Sequence, residues 1–130
     1  MKRFIIAVGV AFMLVACSAT QPQIPKSMLD EARAASYTLN SSYLLTLKAA
    51  TAWANPGNRC RAGYPVPPPA CSTAEGVLKV EAVRIDVKAT LVHLDAVIAD
   101  ANTTPGVLDA AVSAARNGMA LYNQLIGKAG

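Results

Sequence analysis

Residue patterns typical of enzymes and metal sites are missing from this 130-residue sequence. It has no glycine-rich phosphate loop, no Cys-x-x-Cys pair and no serine in a Gly-x-Ser-x-Gly setting. Its one histidine, His93, has no carboxylate or second histidine three or four residues away, as a zinc site or an acid–base pair on a helix would need. These absences favour a non-enzymatic protein without a metal or cofactor.

Long apolar runs and aromatic residues are also scarce. The uninterrupted apolar stretch at residues 4–16 has 13 residues, whereas a helix that spans a bilayer needs about 20. Aromatic residues make up 5% of the chain, while alanine is abundant. This composition favours helices, because alanine has the highest helix propensity and its small side chain lets helices approach closely.

Basic residues are spread along the chain and form no cluster. The whole chain has a formal net charge of +4, and the part after residue 16 has ten Lys or Arg against eight Asp or Glu. A nucleic-acid interface or an anionic-lipid patch requires basic residues concentrated on one surface. The sequence therefore predicts no nucleic-acid partner.

The first seventeen residues have the features of an export signal. A short basic start, Lys2 and Arg3, precedes the apolar stretch, and a small residue precedes a cysteine. The lipobox order of Leu, a small or aliphatic residue, Ala or Gly, then Cys is filled by Leu14, Val15, Ala16 and Cys17. The stretch therefore resembles the signal peptide of bacterial lipoproteins, and the alternative is a plain cleaved signal.

The resemblance implies cleavage before Cys17, a diacylglycerol on its thiol, and an acyl chain such as palmitate on the new amine. Residues 1–16 would be the signal peptide, 17–26 the lipidated N terminus and tether, and 27–130 a helical domain. Each buried methylene contributes about 0.8 kcal/mol, so two or three chains anchor a protein stably in a membrane. Ser18, in place of Asp, implies delivery to the outer membrane, facing the periplasm.

Three later stretches, residues 27–54, 72–101 and 104–126, repeat apolar residues every three or four positions, as one face of a helix requires. The predicted core positions are Leu29, Ala32, Ser36, Leu39, Tyr43, Leu44, Leu47, Ala50, Ala54, Val80, Val83, Val87, Leu91, Leu94, Ile98, Ala101, Leu108, Val112, Ala115, Met119, Tyr122 and Ile126. We predict an all-α fold, an antiparallel up-down-up three-helix bundle with a disulfide-closed, proline-rich loop between helices 1 and 2.

The second helix has a further apolar line on another side, at steps of seven: Leu78, Ile85 and Val92. A helix that is apolar on two sides contacts two neighbours or a second copy of the protein. The predicted helix starts are Ser27 and Ser72, each as an N-cap, the latter in a capping box with Glu75. Thr104 is the predicted cap of the third helix.

Isolated aromatic and histidine side chains are predicted to be structural. Tyr37, Tyr43 and Trp53 recur on the first helix, and we expect them to pack in the core and at its rim. The alternative is a ligand-stacking surface. His93 lies on the polar side of the second helix and is expected to face solvent.

The loop at residues 55–71 contains five prolines and two cysteines. With Cys17 lipidated, Cys60 and Cys71 are the two remaining thiols of an exported chain, so a disulfide is indicated. The loop is either a braced connector or a partner-docking tip, because proline runs present a stiff, extended surface. The candidate partner-binding residues are Arg59, Arg61 and Tyr64.

The organisation as a whole is similar to small helical lipoproteins encoded by phages and prophages. The shared organisation is a lipobox, an Ala-rich helix that begins near Leu29-Asp30-Glu31, and two further helices. Leu29-Asp30-Glu31 and the Ala-rich third helix carry this likeness, which implies an accessory role in the cell envelope. We therefore expect a membrane-anchored envelope protein that acts by contact with another envelope protein. The alternative is a periplasmic carrier of a small apolar ligand or lipid, in which the bundle opens around a cavity.

Overall fold

The computed structural model describes residues 23–61 and 71–129. These residues form three long helices: α1 (Lys26–Ala54), α2 (Ala74–Ala99) and α3 (Pro105–Ala129). Each helix packs against the other two, with α2 and α3 in the most extensive contact. The predicted all-α three-helix bundle, with a disulfide in the loop between the first two helices, is confirmed.

Polar contacts between helices define the helix directions. Ser36 of α1 donates a hydrogen bond to Asp95, whereas Tyr43, seven residues later, accepts one from Arg84. Residue numbers rise along α1 as they fall along α2, so these helices are antiparallel. Thr46 of α1 donates to Asn123 of α3. The connector between α1 and α2 lies at the end of the bundle opposite to the start of α1.

The core follows the predicted stripes, most closely in α3. The largest fully buried side chains are those of Tyr122, Leu91, Leu94, Leu108 and Val87. Leu29, Leu39, Leu47, Val83, Ile98, Val112 and Ile126 are partly buried against this cluster. Three predictions are wrong: Leu44 and Tyr37 are exposed, and Ala101 is exposed beyond the end of α2. Leu44 and Tyr37 lie too far round α1 from the buried stripe to reach α3.

Two of the three predicted helix caps are wrong. Helix α1 begins one residue earlier, at Lys26, where the Pro25 carbonyl accepts from the Met28 and Leu29 amides and no side chain caps the helix. The cap of α2 is Thr73, whose side chain accepts from Gly76, and not Ser72. The predicted cap of α3 is confirmed, because the Val107 amide donates to the Thr104 hydroxyl at 3.3 Å.

Small side chains allow α2 and α3 to pack closely. A Cβ added at Gly118 of α3 would lie 3.4 Å from Cγ2 of Val87 and 3.5 Å from Oγ1 of Thr90. Both distances are ordinary van der Waals contacts, so α2 passes directly over this glycine. No helix within residues 23–61 or 71–129 is both long and apolar enough to cross a membrane.

Candidate partner-binding site

The connector begins with a hydrogen-bonded turn that ends α1. The side chain of Asn55 accepts a hydrogen bond from the Gly57 amide at 2.9 Å, and Asn58 Nδ2 donates to the Ala52 carbonyl at 2.7 Å. Pro56–Asn58 forms a short 3-10 helix between these two contacts. Both asparagines thus satisfy backbone groups that the end of a helix leaves without partners.

The predicted disulfide closes the loop at its base. Cys60 and Cys71 have Cα atoms 4.9 Å apart, and their sulfurs are bonded. Beside this bond, the Cys60 amide donates to the Ser72 carbonyl at 3.0 Å, and the Ser72 amide donates to the Asn58 carbonyl at 2.7 Å. Ser72 is fully buried. It is therefore held in an extended pairing with the other side of the loop. Thr73, the next residue, caps α2 instead.

Trp53 packs against the first turn of α2. A Cβ added at Gly76 would lie 3.1 Å from the indole ring and 3.0 Å from the Thr73 hydroxyl, so a larger residue would require one of these side chains to shift by a few tenths of an ångström. The indole nitrogen of Trp53 is buried and has no hydrogen-bond partner in the described residues. The end of α1, the disulfide and the start of α2 thus form one packed unit.

Two of the three candidate partner-binding residues are at this base. Arg59 and Arg61 flank Cys60 in the sequence, and both are exposed. In the part of the chain that the structure describes, neither has a carboxylate within ion-pair distance. A guanidinium group without a partner presents a planar set of donors that matches a carboxylate or a phosphate. Tyr64 and the proline run at 67–69 lie outside the described residues, as do Cys17 and the rest of residues 1–22.

A cleft of about 420 Å³ runs beside the connector between α1 and α2. It is lined by Leu47, Ala50, Thr51, Ala54, Asn55, Pro56, Val77, Val80, Glu81, Arg84 and Tyr122. Its size is within the range of small-ligand sites, about 300–1,000 Å³. The cleft was not anticipated from the sequence, because Val77 and Thr51 lie at the edges of the periodic stripes.

Ionisable groups at this cleft have shifted pKa values. A hydrogen bond from Arg84 lowers the pKa of Glu81, and the same contact, together with Tyr43, raises the pKa of Arg84. Burial raises the pKa of Tyr122, whose hydroxyl has no hydrogen-bond partner among the described residues. The cleft therefore combines apolar walls with an ion pair. Glu81 and Arg84, three residues apart on α2, were detectable as a pair from their spacing.

The remaining chemistry-bearing side chains do not converge. No group of three or more His, Cys, Asp or Glu side chains lies together within residues 23–61 and 71–129. His93 is exposed on α2, as predicted. Compared with known protein families, curated proteins and solved structures, the chain shows no match. Its function is therefore inferred from the connector and the cleft.

Proposed function

We propose that this chain is a lipoprotein of the bacterial outer membrane, anchored through lipid on Cys17, that binds another envelope protein through its connector. The observation that carries the proposal is the braced base of the connector, which holds two exposed arginines beside a disulfide. It is a non-enzymatic role, of the accessory kind that the likeness to phage-encoded helical lipoproteins implies.

The bracing supports binding because it limits the conformational entropy that the connector loses on association. Ordering a loop at an interface costs conformational entropy, and a loop closed by a disulfide and two backbone hydrogen bonds has already lost part of that freedom. The arginines select an acidic partner surface. Electrostatic attraction of this kind is screened by salt, so the complex should weaken as ionic strength rises.

The test replaces the candidate residues together and compares them with a matched set. Intact cells that produce Arg59→Ala/Arg61→Ala/Tyr64→Ala are crosslinked and the captured proteins are compared with those of the unmodified chain. The control variant is Lys26→Ala/Tyr37→Ala/Lys48→Ala, which removes two exposed cations and one exposed tyrosine from α1. We expect the connector variant alone to lose a specific partner. Equal capture by both variants contradicts the proposal.

A second candidate function is favoured by the cleft. Its apolar walls and its size fit a small apolar ligand. Thr51→Trp would fill the cleft from its exposed rim, whereas Thr38→Trp changes another exposed threonine on the same helix. Both threonines donate to the carbonyl four residues earlier, so the two changes are matched.

The carrier alternative predicts that an apolar fluorophore such as N-phenyl-1-naphthylamine binds the unmodified chain and the Thr38→Trp variant. Thr51→Trp should lose this binding. If all three bind equally, or none binds, the cleft has no carrier role.

A further inference from the structure

The solvent side of α2 carries a continuous apolar stripe. Seven exposed residues alternate at steps of four and three over residues 78–99: Leu78, Ala82, Ile85, Ala89, Val92, Ala96 and Ala99. The three large members are 72%, 55% and 55% exposed, respectively. The opposite side of the same helix is buried against α1 and α3. The stripe is therefore additional to the bundle core.

The spacing of the stripe is that of a coiled-coil seam. Apolar residues that repeat at alternating steps of four and three pack into the holes of a facing helix, at heptad positions a and d. In α2 the a positions are all alanine, and three of the four d positions are Leu, Ile or Val. In an antiparallel pair each a residue faces a d residue, so every large side chain meets an alanine. In a parallel pair large would meet large, and alanine would meet alanine.

The charged residues beside the seam disfavour a parallel pair. Positions e are Lys79, Asp86, His93 and Asp100, and positions g are Glu81, Lys88 and Asp95. A parallel pair places each g residue beside the next e residue of the other helix. The neighbours would be Glu81 with Asp86, Lys88 with His93, and Asp95 with Asp100. None of these pairs joins opposite charges.

One antiparallel register joins opposite charges at two places and sets a carboxylate beside an imidazole N–H donor at a third. With Ala96 facing Ile85 of the second copy, e meets e and g meets g across the seam. The facing pairs are Lys79 with Asp100, Asp86 with His93, and Lys88 with Asp95. Shifting the register by one heptad, to full overlap of the helices, instead sets Asp86 against Asp86 and Lys88 against Lys88.

We propose that α2 binds α2 of a second copy of this chain, antiparallel, about a twofold axis near residues 90 and 91. The interface is isologous, so each facing charge pair occurs twice. In this register residues 82–99 of the two helices overlap, about 26 Å at 1.5 Å per residue, or about two and a half heptads, and Leu78 lies beyond the overlap. The alanines let the two helices approach closely.

Because the two copies are related by a twofold axis, their N-terminal segments leave the pair at opposite ends. Residues 18–25 reach at most about 27 Å when extended. Two lipid anchors therefore reach one membrane when the pair lies flat on it. The dimer itself depends only on α2, so it stands or fails independently of the lipid anchor and of the connector partner.

Disulfide crosslinking in membranes tests both the contact and its direction. Two differently tagged full-length chains, Ile85→Cys and Ala96→Cys, are produced together and treated with a mild oxidant. We expect a crosslinked heterodimer, roughly tenfold more abundant than for a control pair, which corresponds to about 1.4 kcal/mol. The control is Ala110→Cys with Leu121→Cys, two exposed residues of α3 that are also eleven positions apart.

The direction follows from single variants. In the proposed register two copies of Ala96 are about 16 Å apart along the helix axis, so Ala96→Cys alone should crosslink poorly. Efficient crosslinking of Ala96→Cys to itself would show a parallel pair and overturn the proposal. A yield of crosslinked heterodimer equal to that of the α3 control would overturn the proposed contact. Stronger crosslinking of Ile85→Cys with Ala89→Cys would overturn the register, because these residues face each other when the two helices overlap fully.

Charge-exchange variants distinguish a specific contact along the seam from nonspecific association. In the crosslinking pair, Asp86→Lys removes the carboxylate that would accept from the ring N–H of His93 on the facing helix, and it should lower the yield roughly threefold. Adding His93→Glu should restore it. Asp109→Lys makes the same charge change on an exposed residue of α3 and should leave the yield unchanged. Equal yields from Asp86→Lys and Asp109→Lys would contradict the proposed facing pair.

Discussion

At the scale of single residues, Gly76 shows how one hydrogen atom in place of a methyl group shapes the connector. A Cβ on this residue would lie 3.1 Å from the ring of Trp53. We predict that Gly76→Ala lowers the free energy of unfolding by about 1 kcal/mol, because overpacking outweighs the gain in helix propensity. Urea unfolding gives the stability, and Trp53 fluorescence should shift as the indole moves.

Gly106 is the matched control, since it also lies in the first turn of a helix but has no atom within 4 Å of an added Cβ. Gly106→Ala should raise the free energy of unfolding by about 0.5 kcal/mol. If the two glycines respond alike, the contact with Trp53 does not constrain the start of α2.

The buried hydroxyl of Tyr122 is predicted to reduce stability. Because it has no partner in the described residues, Tyr122→Phe should raise the free energy of unfolding by up to about 1 kcal/mol at neutral pH. Tyr43→Phe is the comparison, since the Tyr43 hydroxyl accepts from Arg84 at 3.4 Å, and it should lower stability slightly. A clear loss of stability in Tyr122→Phe would show that its hydroxyl has a partner.

The same residue predicts a dependence on alkaline pH. Burial raises the pKa of Tyr122 above its ordinary value of 10.0. Its contribution to stability is present below that value and is lost as pH rises through the pKa of the folded state, since only the unfolded chain ionises in between. The free energy of unfolding, measured in urea between pH 9 and 11, should therefore fall less steeply with pH for Tyr122→Phe than for the unmodified chain.

The pH dependence of stability that Glu81 contributes has the opposite sign. The hydrogen bond from Arg84 lowers its pKa below 4.5, so its contribution is present above that value and is lost as pH falls through the pKa of the folded state. The pair is exposed, so Glu81→Gln should cost only a few tenths of a kcal/mol at pH 7 and nothing in strong acid. The control is Glu31→Gln, which removes an exposed carboxylate from α1. Its unfolding curves are measured at pH 7 and in strong acid, like those of Glu81→Gln.

At the scale of elements, the disulfide is predicted to dominate the stability of the connector. Replacing both cysteines, Cys60→Ser/Cys71→Ser, opens a twelve-residue ring and should lower the free energy of unfolding by about 3 kcal/mol. The helices should remain, because the core lies in α1, α2 and α3. Urea unfolding followed by circular dichroism measures both effects.

Reductant supplies the control for this change. The unmodified chain, once reduced, should unfold like the double variant, and the variant should not respond to reductant. A loss of helicity before any denaturant is added would mean that the bundle depends on the disulfide to fold.

The helices themselves could be predicted from the sequence, because periodicity reports which face is buried. The residues Leu108 to Ile126 step cleanly by three and four, and α3 buries that stripe. The caps could not be predicted, because they depend on tertiary contacts. Ser72 satisfies the capping pattern, but its burial against the connector leaves Thr73 to cap α2.

The candidate site could be predicted only in part. The pairing of Cys60 with Cys71 followed from cysteine count, and the exposure of Arg59 and Arg61 followed from their place in a loop. The packing of Trp53 on Gly76 joins residues from two helices, and no local pattern marks it. The cleft likewise needs the register of α1 against α2, which polar contacts such as that of Ser36 with Asp95 define.

At the scale of the whole molecule, the bundle places its special surfaces apart. The connector with its arginines lies at the end opposite to the start of α1, and the exposed stripe of α2 runs along the side. A lipid on Cys17, if present as we propose, holds the chain by the remaining end. Within one chain, anchor, pairing surface and partner site therefore lie apart.

Mass spectrometry of the protein isolated from bacterial membranes tests the central claim, which is anchoring through Cys17. We predict an N-terminal peptide that begins at Cys17 and carries diacylglycerol and an acyl chain, together with an intact bond between Cys60 and Cys71. A Cys17 that carries no lipid, or that is bonded to either of the other cysteines, would contradict the account.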